Sequence, residues 1–307
     1  MPPTAEAALA ALPVVVEEVE CRVGAVRLAS YPGGGRPTSE VRLGEGRGEC
    51  VAWTAEAHEE FRARTGAAPR GRWARLGDWS EAMRARFSDP YERAALEAAA
   101  IDLALRQAGT NLFQLAGVTP RAVRYVVSYG RLRDPMAEAE PGVELKLDVD
   151  PAWDGPTYAA LRRVAVLDFK GTGSPADHER AHRALPEALI EDALAGPWSA
   201  SLRTRLGFDA PVTSAGALDA LPVRPAAVNL KPARMGGVLE ALACAERCAR
   251  LGIDVYVGGM FEVGVGRRQL RALAALLCPD APNDVAPLVP PERPPRLPVD
   301  GSASGFA

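Results

Sequence analysis

Four apolar runs each end in a charged residue: VLD (166–168), LIE (189–191), LGFD (206–209) and VNLK (228–231). The charged residues follow one another at intervals of 18 to 23 positions. A strand, a returning helix and two loops occupy about that length. The spacing therefore indicates repeated βα units, whose charged tips meet at the end of the sheet where barrel enzymes carry their chemistry.

These runs belong to a longer series that starts near residue 121. Short apolar runs there alternate with helical stretches, which is typical of a parallel sheet with crossover connections. Seven runs favour a barrel over an open sheet, although an open sheet has the same pattern along the chain. The runs are Tyr125–Ser128, Val143–Val149, Val164–Phe169, Ala188–Glu191, Leu206–Asp209, Ala227–Lys231 and Val255–Gly258.

The N-terminal third has a different pattern. Residues 14–53 alternate short β-like runs with Gly-rich breaks and predict a small antiparallel sheet, with the PGGGR sequence at 32–36 as a flexible loop. Residues 55–85 are charged and predict helix. A Ser-Asp-Pro sequence then opens a helix over 91–107, which has an apolar face for packing. At the other end, the Pro-rich tail 288–307 is expected to be extended or disordered.

Composition excludes several classes of protein. The chain has 307 residues, of which 48% are hydrophobic and 24% charged, with a net charge of −3 and a pI near 5.8. These values give no reason to expect binding to nucleic acid or to an anionic membrane. No apolar run approaches the ~20 residues of a transmembrane helix, and the first 16 residues make a poor signal peptide. Five cysteines without framework spacing predict reduced thiols and a cytoplasmic location.

Three of the charged tips are candidate metal ligands. Asp168, Glu191 and Asp209 offer hard oxygen donors, which Mg²⁺ (or Mn²⁺) prefers. If consecutive barrel units carry them in equal register, all three reach one point near the barrel axis. The alternative is that each carboxylate caps the helix that follows its strand.

The fourth tip, Lys231, is a candidate base. An ammonium group beside a divalent cation is pushed toward its neutral form, because like charge disfavours protonation. A neutral lysine can abstract a proton, and a metal can stabilise the enediolate that forms next to a carboxylate. The alternative is a structural lysine paired with one of the carboxylates.

Other polar residues near the runs extend the candidate site. Lys146 and Asp148 share one face of their strand, and Lys170 has the same parity as Asp168. Glu262 lies in a Gly-rich segment that lets the backbone approach a ligand closely. Substrate selection is expected in the loop around Gly33 to Arg36. We therefore interpret Lys146 and Lys170 as further catalytic candidates, and Arg36, Asp148 and Glu262 as substrate-binding candidates.

Two of these segments and one helix resemble the enolase superfamily. The resemblance is to its lysine-type group, the muconate lactonizing enzymes, o-succinylbenzoate synthases and dipeptide epimerases of the mandelate racemase/muconate lactonizing enzyme family. NLKPARMGG (229–237) is similar to that group's sixth-strand lysine motif, and VGGMFEVGVGR (257–267) to its seventh-strand motif. ALEAAAIDLA (95–104) resembles the helix that precedes the barrel. The resemblance covers about residues 20–287.

The resemblance implies a fold and an activity. We predict an α/β protein with a modified (β/α)₇β TIM-type barrel at 121–287, an α+β capping domain at 1–120 and a Pro-rich tail at 288–307. The implied enzyme is an Mg²⁺-dependent isomerase or lyase that abstracts a proton α to the carboxylate of a small substrate, giving racemisation, epimerisation or elimination. The alternatives are an o-succinylbenzoate-synthase-like dehydratase and a superfamily member that only binds a carboxylate. A homo-oligomer is left open.

The departures from the family pattern fall inside the site. The resemblance implies metal ligation by the three carboxylates and acid/base chemistry by Lys231. The family's second strand usually carries Lys-x-Lys, whereas here Asp148 takes the place of the second lysine. Lys170 replaces the Asn of the third-strand Asp-x-Asn, and Ala210 replaces the Glu of the fifth-strand Asp-Glu. Our hypothesis is that Lys170 acts in the site, paired with Asp148, and that Lys146 supports the carboxylates from below.

Overall fold

A parallel sheet dominates the computed structural model, which describes residues 5–28, 34–194, 196–287, 294–300 and 305–307. Within these ranges the sheet has seven strands, and their order in space is their order in the sequence. All neighbouring pairs in this sheet are parallel. The seven apolar runs are thus confirmed as strands. They and their helices are β6 (Val127–Arg131), α6 (Pro135–Glu138), β7 (Leu145–Asp148), α7 (Gly155–Ala160), β8 (Val164–Asp168), α8 (Pro175–Ala184), β9 (Leu189–Glu191), α9 (Ala200–Arg203), β10 (Leu206–Phe208), β11 (Ala227–Leu230), α10 (Pro232–Met235), α11 (Val238–Leu251), β12 (Asp254–Val257) and α12 (Val265–Leu277).

The two outer strands of this sheet are joined through one short segment. Asn283 bridges in parallel to Tyr125, next to β6, and Asp284 bridges in parallel to Gly258, next to β12. This segment takes the place of an eighth strand and closes the sheet, so the predicted modified (β/α)₇β barrel is confirmed. The connection between β10 and β11 contains only a 3₁₀ helix, Gly216–Ala220.

The N-terminal region forms the predicted antiparallel sheet, in which Val19–Arg27, Gly35–Leu43 and Gly46–Cys50 lie side by side in that order, with helices packed against it. Its elements are α1 (Ala5–Ala11), β1 (Val14–Val16), β2 (Val19–Arg27), β3 (Gly35–Leu43), β4 (Gly46–Cys50), α2 (Ala55–Arg64), β5 (Gly71–Trp73), α3 (Leu76–Arg84), α4 (Pro90–Gln107) and α5 (Leu112–Ala116), with a 3₁₀ helix at Thr65–Ala67. Helix α4 begins as expected, because the Asp89 carboxylate accepts hydrogen bonds from the first-turn N–H groups of Tyr91 and Glu92.

Two local expectations need correction, and a third is narrowed. The helix predicted over 55–85 is interrupted by β5, because Gly71–Trp73 pairs with Val14–Val16. The loop predicted at 32–36 ends earlier, because Gly35 already pairs with Arg27 in the β2–β3 ladder; Pro32 and Gly33 lie outside the described residues. In the described parts of the tail, Leu297 bridges to Val123, and both Leu297 and Phe306 are buried in the core, which agrees with the extended alternative at these residues.

The core is continuous between the N-terminal sheet and the barrel. Helix α4 is buried along almost its whole length, and it contacts both β4 and α10. Its two fully buried acidic residues are paired, Glu97 with Ser80 and Arg84 and Asp102 with Arg106. Among the described helices, none has the length and apolarity needed to cross a bilayer.

Candidate metal centre

Asp168, Glu191 and Asp209 meet at the carboxyl ends of β8, β9 and β10. Glu191 is in register with Asp168 and with Gly207, two residues before Asp209, so the three side chains lie on one face of the sheet. All three are buried, and one oxygen of each lies within 4.8 Å of the others. They do not cap the helices that follow, because the N-caps of α8, α9 and the 3₁₀ helix after β10 are Ser174, Ser199 and Ala215. The capping alternative is therefore wrong.

Two lysines contact this cluster from the β7 and β8 side. The Lys146 ammonium group is buried, bonds to Glu191 and lies 3.3 Å from Asp168 Oδ2. Lys170 bonds to Asp168, and its Nζ lies 3.2 Å from Asp148 Oδ1. The predicted pairing of Lys170 with Asp148 is thus present in the geometry.

Two further cations contact the cluster from the β11 side. Lys231 Nζ donates to Asp209 Oδ2 over 2.8 Å and is nearly buried. Arg234, one turn further along the chain, donates to the other oxygen of Asp209. The three carboxylates therefore lie between two lysines on the β7 and β8 side and Lys231 and Arg234 on the β11 side; these two sides are the flanks of the cluster.

Burial and these cations set the ionisation of the cluster. Burial alone would raise the pKa of Asp209, but Lys231, Lys146 and Arg234 lower it to about 2. The pKa of Asp168 is likewise lowered, because Lys146, a hydrogen bond with Glu191 and Lys170 together outweigh the effect of burial. Burial would lower the pKa of Lys146, but the Glu191 and Asp168 carboxylates raise it well above the ordinary value, so this ammonium stays charged.

Glu191 has the opposite shift. Its complete burial raises its pKa, and the neighbouring carboxylates of Asp168 and Asp209 add to the rise, although Lys146 opposes it. A divalent cation held by these oxygens would offset that repulsion. Three buried carboxylates that converge within 4.8 Å match the hard oxygen donors that Mg²⁺ takes, so the residues present fit the ion.

Sequence reasoning missed three residues that contact this cluster. The Tyr256 hydroxyl donates to Glu191 Oε2, and burial with the adjacent Glu191 raises the pKa of Tyr256 well above its ordinary value. Asn229 Nδ2 approaches the same oxygen at 3.5 Å, and Arg234 contacts Asp209. The signal for Asn229 was its position two residues before Lys231, which places both side chains on one face of the strand.

Two predicted substrate-binding residues, Arg36 and Glu262, bond to backbone groups of the loop after β12. The buried Arg36 guanidinium donates to the carbonyl oxygens of Val51, Ala52 and Met260, so it joins the N-terminal sheet to the loop after β12. The Glu262 carboxylate is buried and accepts the Met260 N–H over 2.8 Å. Burial raises the pKa of Glu262.

An aromatic pair adjoins the site through the same loop. Met260 Sδ lies 3.6 Å from Arg234 Nη2, and the next residue, Phe261, meets the Trp53 ring edge-on with centroids 6.1 Å apart. The Trp53 side chain is 46% exposed, the highest value among the large exposed hydrophobic residues described. This pair offers an apolar surface beside the charged cluster.

A cavity of about 910 Å³ lies at the opposite, amino-terminal end of the barrel strands. It is lined by strand starts such as Val164 and Leu189. Charged residues at its rim are paired, Arg124 with Glu144 and Arg205 with Glu187. Because barrel enzymes carry their chemistry at the carboxyl ends of the strands, the carboxylate cluster and not this cavity marks the candidate site.

Comparison with known families and proteins gives a consistent result. Residues 119–289 match the family described as "Domain of unknown function (DUF8230) C-terminal domain", and residues 7–115 match its N-terminal domain. An N-succinylamino acid racemase from Amycolatopsis sp is 30% identical over 220 residues, which cover 63% of this chain and 60% of the racemase. An o-succinylbenzoate synthase from Geobacillus stearothermophilus is 28% identical over 285 residues, 78% of this chain and 73% of the synthase. The match thus spans less than two thirds of the racemase.

A solved structure has the same fold. The dipeptide epimerase from Enterococcus faecalis V583 superimposes with a TM-score of 0.75 at 20% identity, covering 95% of this chain and 99% of the epimerase. The same epimerase complexed with Mg and the dipeptide L-Leu-L-Tyr superimposes with a TM-score of 0.71 at 20% identity, covering 89% and 90% of the two chains.

Proposed function

Because the chain belongs to the DUF8230 family within the enolase superfamily, we propose that it is an Mg²⁺-dependent enzyme that abstracts a proton α to a substrate carboxylate. The observation that carries the proposal is the cluster of Asp168, Glu191 and Asp209 with ammonium groups on both flanks. Mn²⁺ offers the same preference for oxygen ligands and is a second candidate ion.

Lys231 is the proposed base. A divalent cation held by the three carboxylates would stabilise the negative charge that develops on the substrate as its α-proton leaves. The proton moves from the substrate α-carbon to Nζ of Lys231, and the electron pair of the C–H bond passes toward the carboxylate. Lys231 is held at Asp209 in a nearly buried position, so its amine is fixed at the edge of the cluster.

Lys170 is the proposed acid/base group on the other flank. Its Nζ is anchored between Asp148 and Asp168, and its side chain is 42% exposed, so it can reach a substrate that enters from solvent. Lys146 is fully buried beneath Asp168 and Glu191 and serves to balance their charge. With two such groups, a proton removed on one face can be returned on the other, which gives racemisation or epimerisation.

A second candidate is elimination on one face, as in an o-succinylbenzoate-synthase-like dehydration. The observation that favours it is that two carboxylates hold the Lys170 ammonium group, and they raise its pKa although burial and Lys146 oppose the rise. A firmly protonated Lys170 is a poor base, which leaves Lys231 as the one base. The third alternative, carboxylate binding without turnover, predicts no exchange of the α-proton.

The proposed substrates are small carboxylates of the kind named in the relatives, N-succinylamino acids and dipeptides. The exposed Trp53 ring and Phe261 suit an apolar substrate side chain. The free cysteines described, Cys50, Cys244 and Cys248 among them, agree with the proposed cytoplasmic location. A homo-oligomer stays a prediction, which sedimentation velocity would test.

The test is α-proton exchange in D₂O, followed by NMR for both enantiomers of each substrate in the presence of Mg²⁺. For a two-base enzyme, Lys170→Gln should abolish interconversion of the enantiomers while one enantiomer still exchanges through Lys231. Interconversion at the wild-type rate in Lys170→Gln would contradict the role of Lys170. Absence of exchange in the wild-type protein with every substrate tested would favour the binding alternative.

A further inference from the structure

We propose that Asp192 is a positioning residue that holds the backbone of two metal-ligand loops and thereby sets the affinity of the site for its divalent cation. The inference rests on the metal site of the proposed function and concerns a residue outside the three ligand carboxylates, whose side chain bonds to the backbone beside them. Asp192 directly follows the ligand Glu191 and is 1% exposed.

The first observation is the geometry of the Asp192 carboxylate. Its Oδ1 accepts the N–H of Asp209 over 2.8 Å, and its Oδ2 accepts the N–H of Ala210 over 3.0 Å. Each carboxylate oxygen thus takes one of two consecutive N–H groups, and the first belongs to a ligand residue. The Asp192 side chain, at the end of β9, therefore fixes the main chain at the end of β10.

The second observation is that the backbone of Asp192 bonds in both directions. Its carbonyl oxygen accepts the N–H of Gly171 over 2.9 Å, and its own N–H donates to the carbonyl of Gly207 over 2.9 Å. Gly171 follows Lys170 directly. Asp192 therefore ties the carboxyl ends of β8, β9 and β10 together, and these ends carry the three ligands and Lys170.

The third observation is the backbone conformation of Asp192, whose φ is +53°. L-residues rarely occupy this left-handed region, and Asp and Asn tolerate it better than most others. This backbone conformation costs free energy, and it is retained here because it lets the carboxylate point across to the next strand end. An Asn at this position keeps the backbone preference and changes only the hydrogen-bonding groups.

The hydrogen-bonding groups of this side chain determine the effect of Asp192→Asn. A carboxylate accepts on both oxygens, whereas an Asn amide offers one oxygen and one NH₂ group. In Asp192→Asn the NH₂ group would face a backbone N–H, so one buried donor would lose its partner. The loop that carries Asp209 would then shift relative to Glu191, and groups that orient metal ligands are typically worth about 10–100-fold in affinity.

The matched control is Asp102→Asn in the N-terminal region. Asp102 is also 1% exposed, and its carboxylate also accepts two backbone N–H groups, from Arg47 over 3.0 Å and from Ala307 over 2.6 Å. Asp102→Asn should lower thermal stability as Asp192→Asn does. It should leave Mg²⁺ affinity unchanged, because Asp102 lies on α4 and bonds to no barrel loop that carries a ligand.

The experiment measures two quantities on the full chain. Calorimetric titration with Mg²⁺ should give a dissociation constant about 10–100-fold higher for Asp192→Asn than for wild type, with Asp192→Glu, which keeps both acceptor oxygens, recovering part of the loss. Hydrogen exchange of the metal-free protein should show the Asp209 and Ala210 amides losing protection in Asp192→Asn and keeping it in Asp102→Asn.

The outcomes separate the two proposals. Unchanged Mg²⁺ affinity in Asp192→Asn, or unchanged protection of both amides, would overturn the positioning role. An equal loss of affinity in Asp102→Asn would also overturn it, because the effect would then follow from stability alone. If wild-type protein binds no Mg²⁺, the proposed function fails, and the amide protection by itself decides whether Asp192 holds the loop.

Discussion

At the scale of single residues, the site is a balanced set of charges. Four carboxylates face four cations at the carboxyl ends of the strands. They are Asp148, Asp168, Glu191 and Asp209, with Lys146, Lys170, Lys231 and Arg234. Compared with the family pattern, Asp148 in place of a lysine lowers the formal charge by two, and Lys170 in place of Asn and Ala210 in place of Glu each raise it by one. The formal charge of the site is therefore unchanged, although the position of the ammonium group has moved from β7 to the end of β8.

The first prediction concerns a ligand. Asp168→Ala should abolish Mg²⁺ binding, because the cluster loses one of three convergent carboxylates and the Lys146 and Lys170 ammonium groups lose the Asp168 charge that balances them. Calorimetry measures the heat of binding. Asp254→Ala, at the amino-terminal end of β12, is the control and should bind Mg²⁺ as wild type does. Wild-type affinity in Asp168→Ala would contradict the ligand assignment.

The second prediction concerns pH and Asp209, whose pKa is lowered from 3.8 to about 2 by Lys231, Lys146 and Arg234 despite its burial. A carboxyl whose pKa is lower in the folded state stabilises the fold above its unfolded pKa and loses that contribution as the pH falls through the folded pKa. In metal-free protein, the difference in unfolding free energy between wild type and Asp209→Asn should therefore shrink by about 2 kcal/mol between pH 5 and pH 2.

Urea denaturation at several pH values measures this difference. A difference that stays constant over the range would mean that the cations do not stabilise the Asp209 carboxylate.

At the scale of elements, the sequence patterns predicted the strands, the helix α4 and a barrel, but not the segment that closes the barrel. A buried strand is recognised as an apolar run, and a helix start as an N-cap residue followed by proline. Both patterns lie within a few consecutive residues, so they can be recognised without knowledge of distant contacts. The segment that closes the sheet, Asn283–Asp284, makes only isolated bridges and has no periodicity to detect. The short strand β5 was missed because its partner, β1, lies more than 50 residues away.

The third prediction concerns the join between β4 and α12. The buried Glu49 carboxylate accepts the N–H groups of Val263, Gly264 and Gly266, so a residue of the N-terminal sheet caps a barrel helix. Glu49→Ala would leave three N–H groups without this partner, and we expect a loss of stability of about 1–3 kcal/mol. Urea denaturation measures it. Glu45→Ala, an exposed residue in the turn before β4, should change stability by less than about 0.5 kcal/mol; equal effects in both would contradict the capping role.

At the scale of the whole molecule, sequence patterns predicted the part of the candidate site that consists of charged residues at strand ends. Asp168, Glu191, Asp209 and Lys231 were found because each ends an apolar run, and strand order brings such ends together. Tyr256 and Asp192 could not be found in this way. Tyr256 lies within an apolar run and therefore resembles a core residue. Asp192 follows the charged end of its run, where an acidic residue is typical of a loop.

Two further residues have roles that depend on contacts between the N-terminal sheet and the barrel. Arg36 and Glu49 come from the N-terminal sheet, yet both bond to the loop after β12. Their partners are backbone groups, which carry no side-chain signal in the sequence. For the same reason, the sequence did not show that the Arg36 guanidinium donates to carbonyl oxygens, and its role in substrate binding stays a prediction.

The central claim is that Lys231 abstracts an α-proton at an Mg²⁺ site, and α-proton exchange in D₂O by wild type and Lys231→Ala tests it most directly. We predict exchange by the wild type that requires Mg²⁺ and is lost with a chelator. In Lys231→Ala, exchange through the Lys231 face should fall by about 10²–10⁴-fold, while calorimetry shows that Mg²⁺ still binds. Exchange at the wild-type rate in Lys231→Ala, with Mg²⁺ bound, would contradict the account.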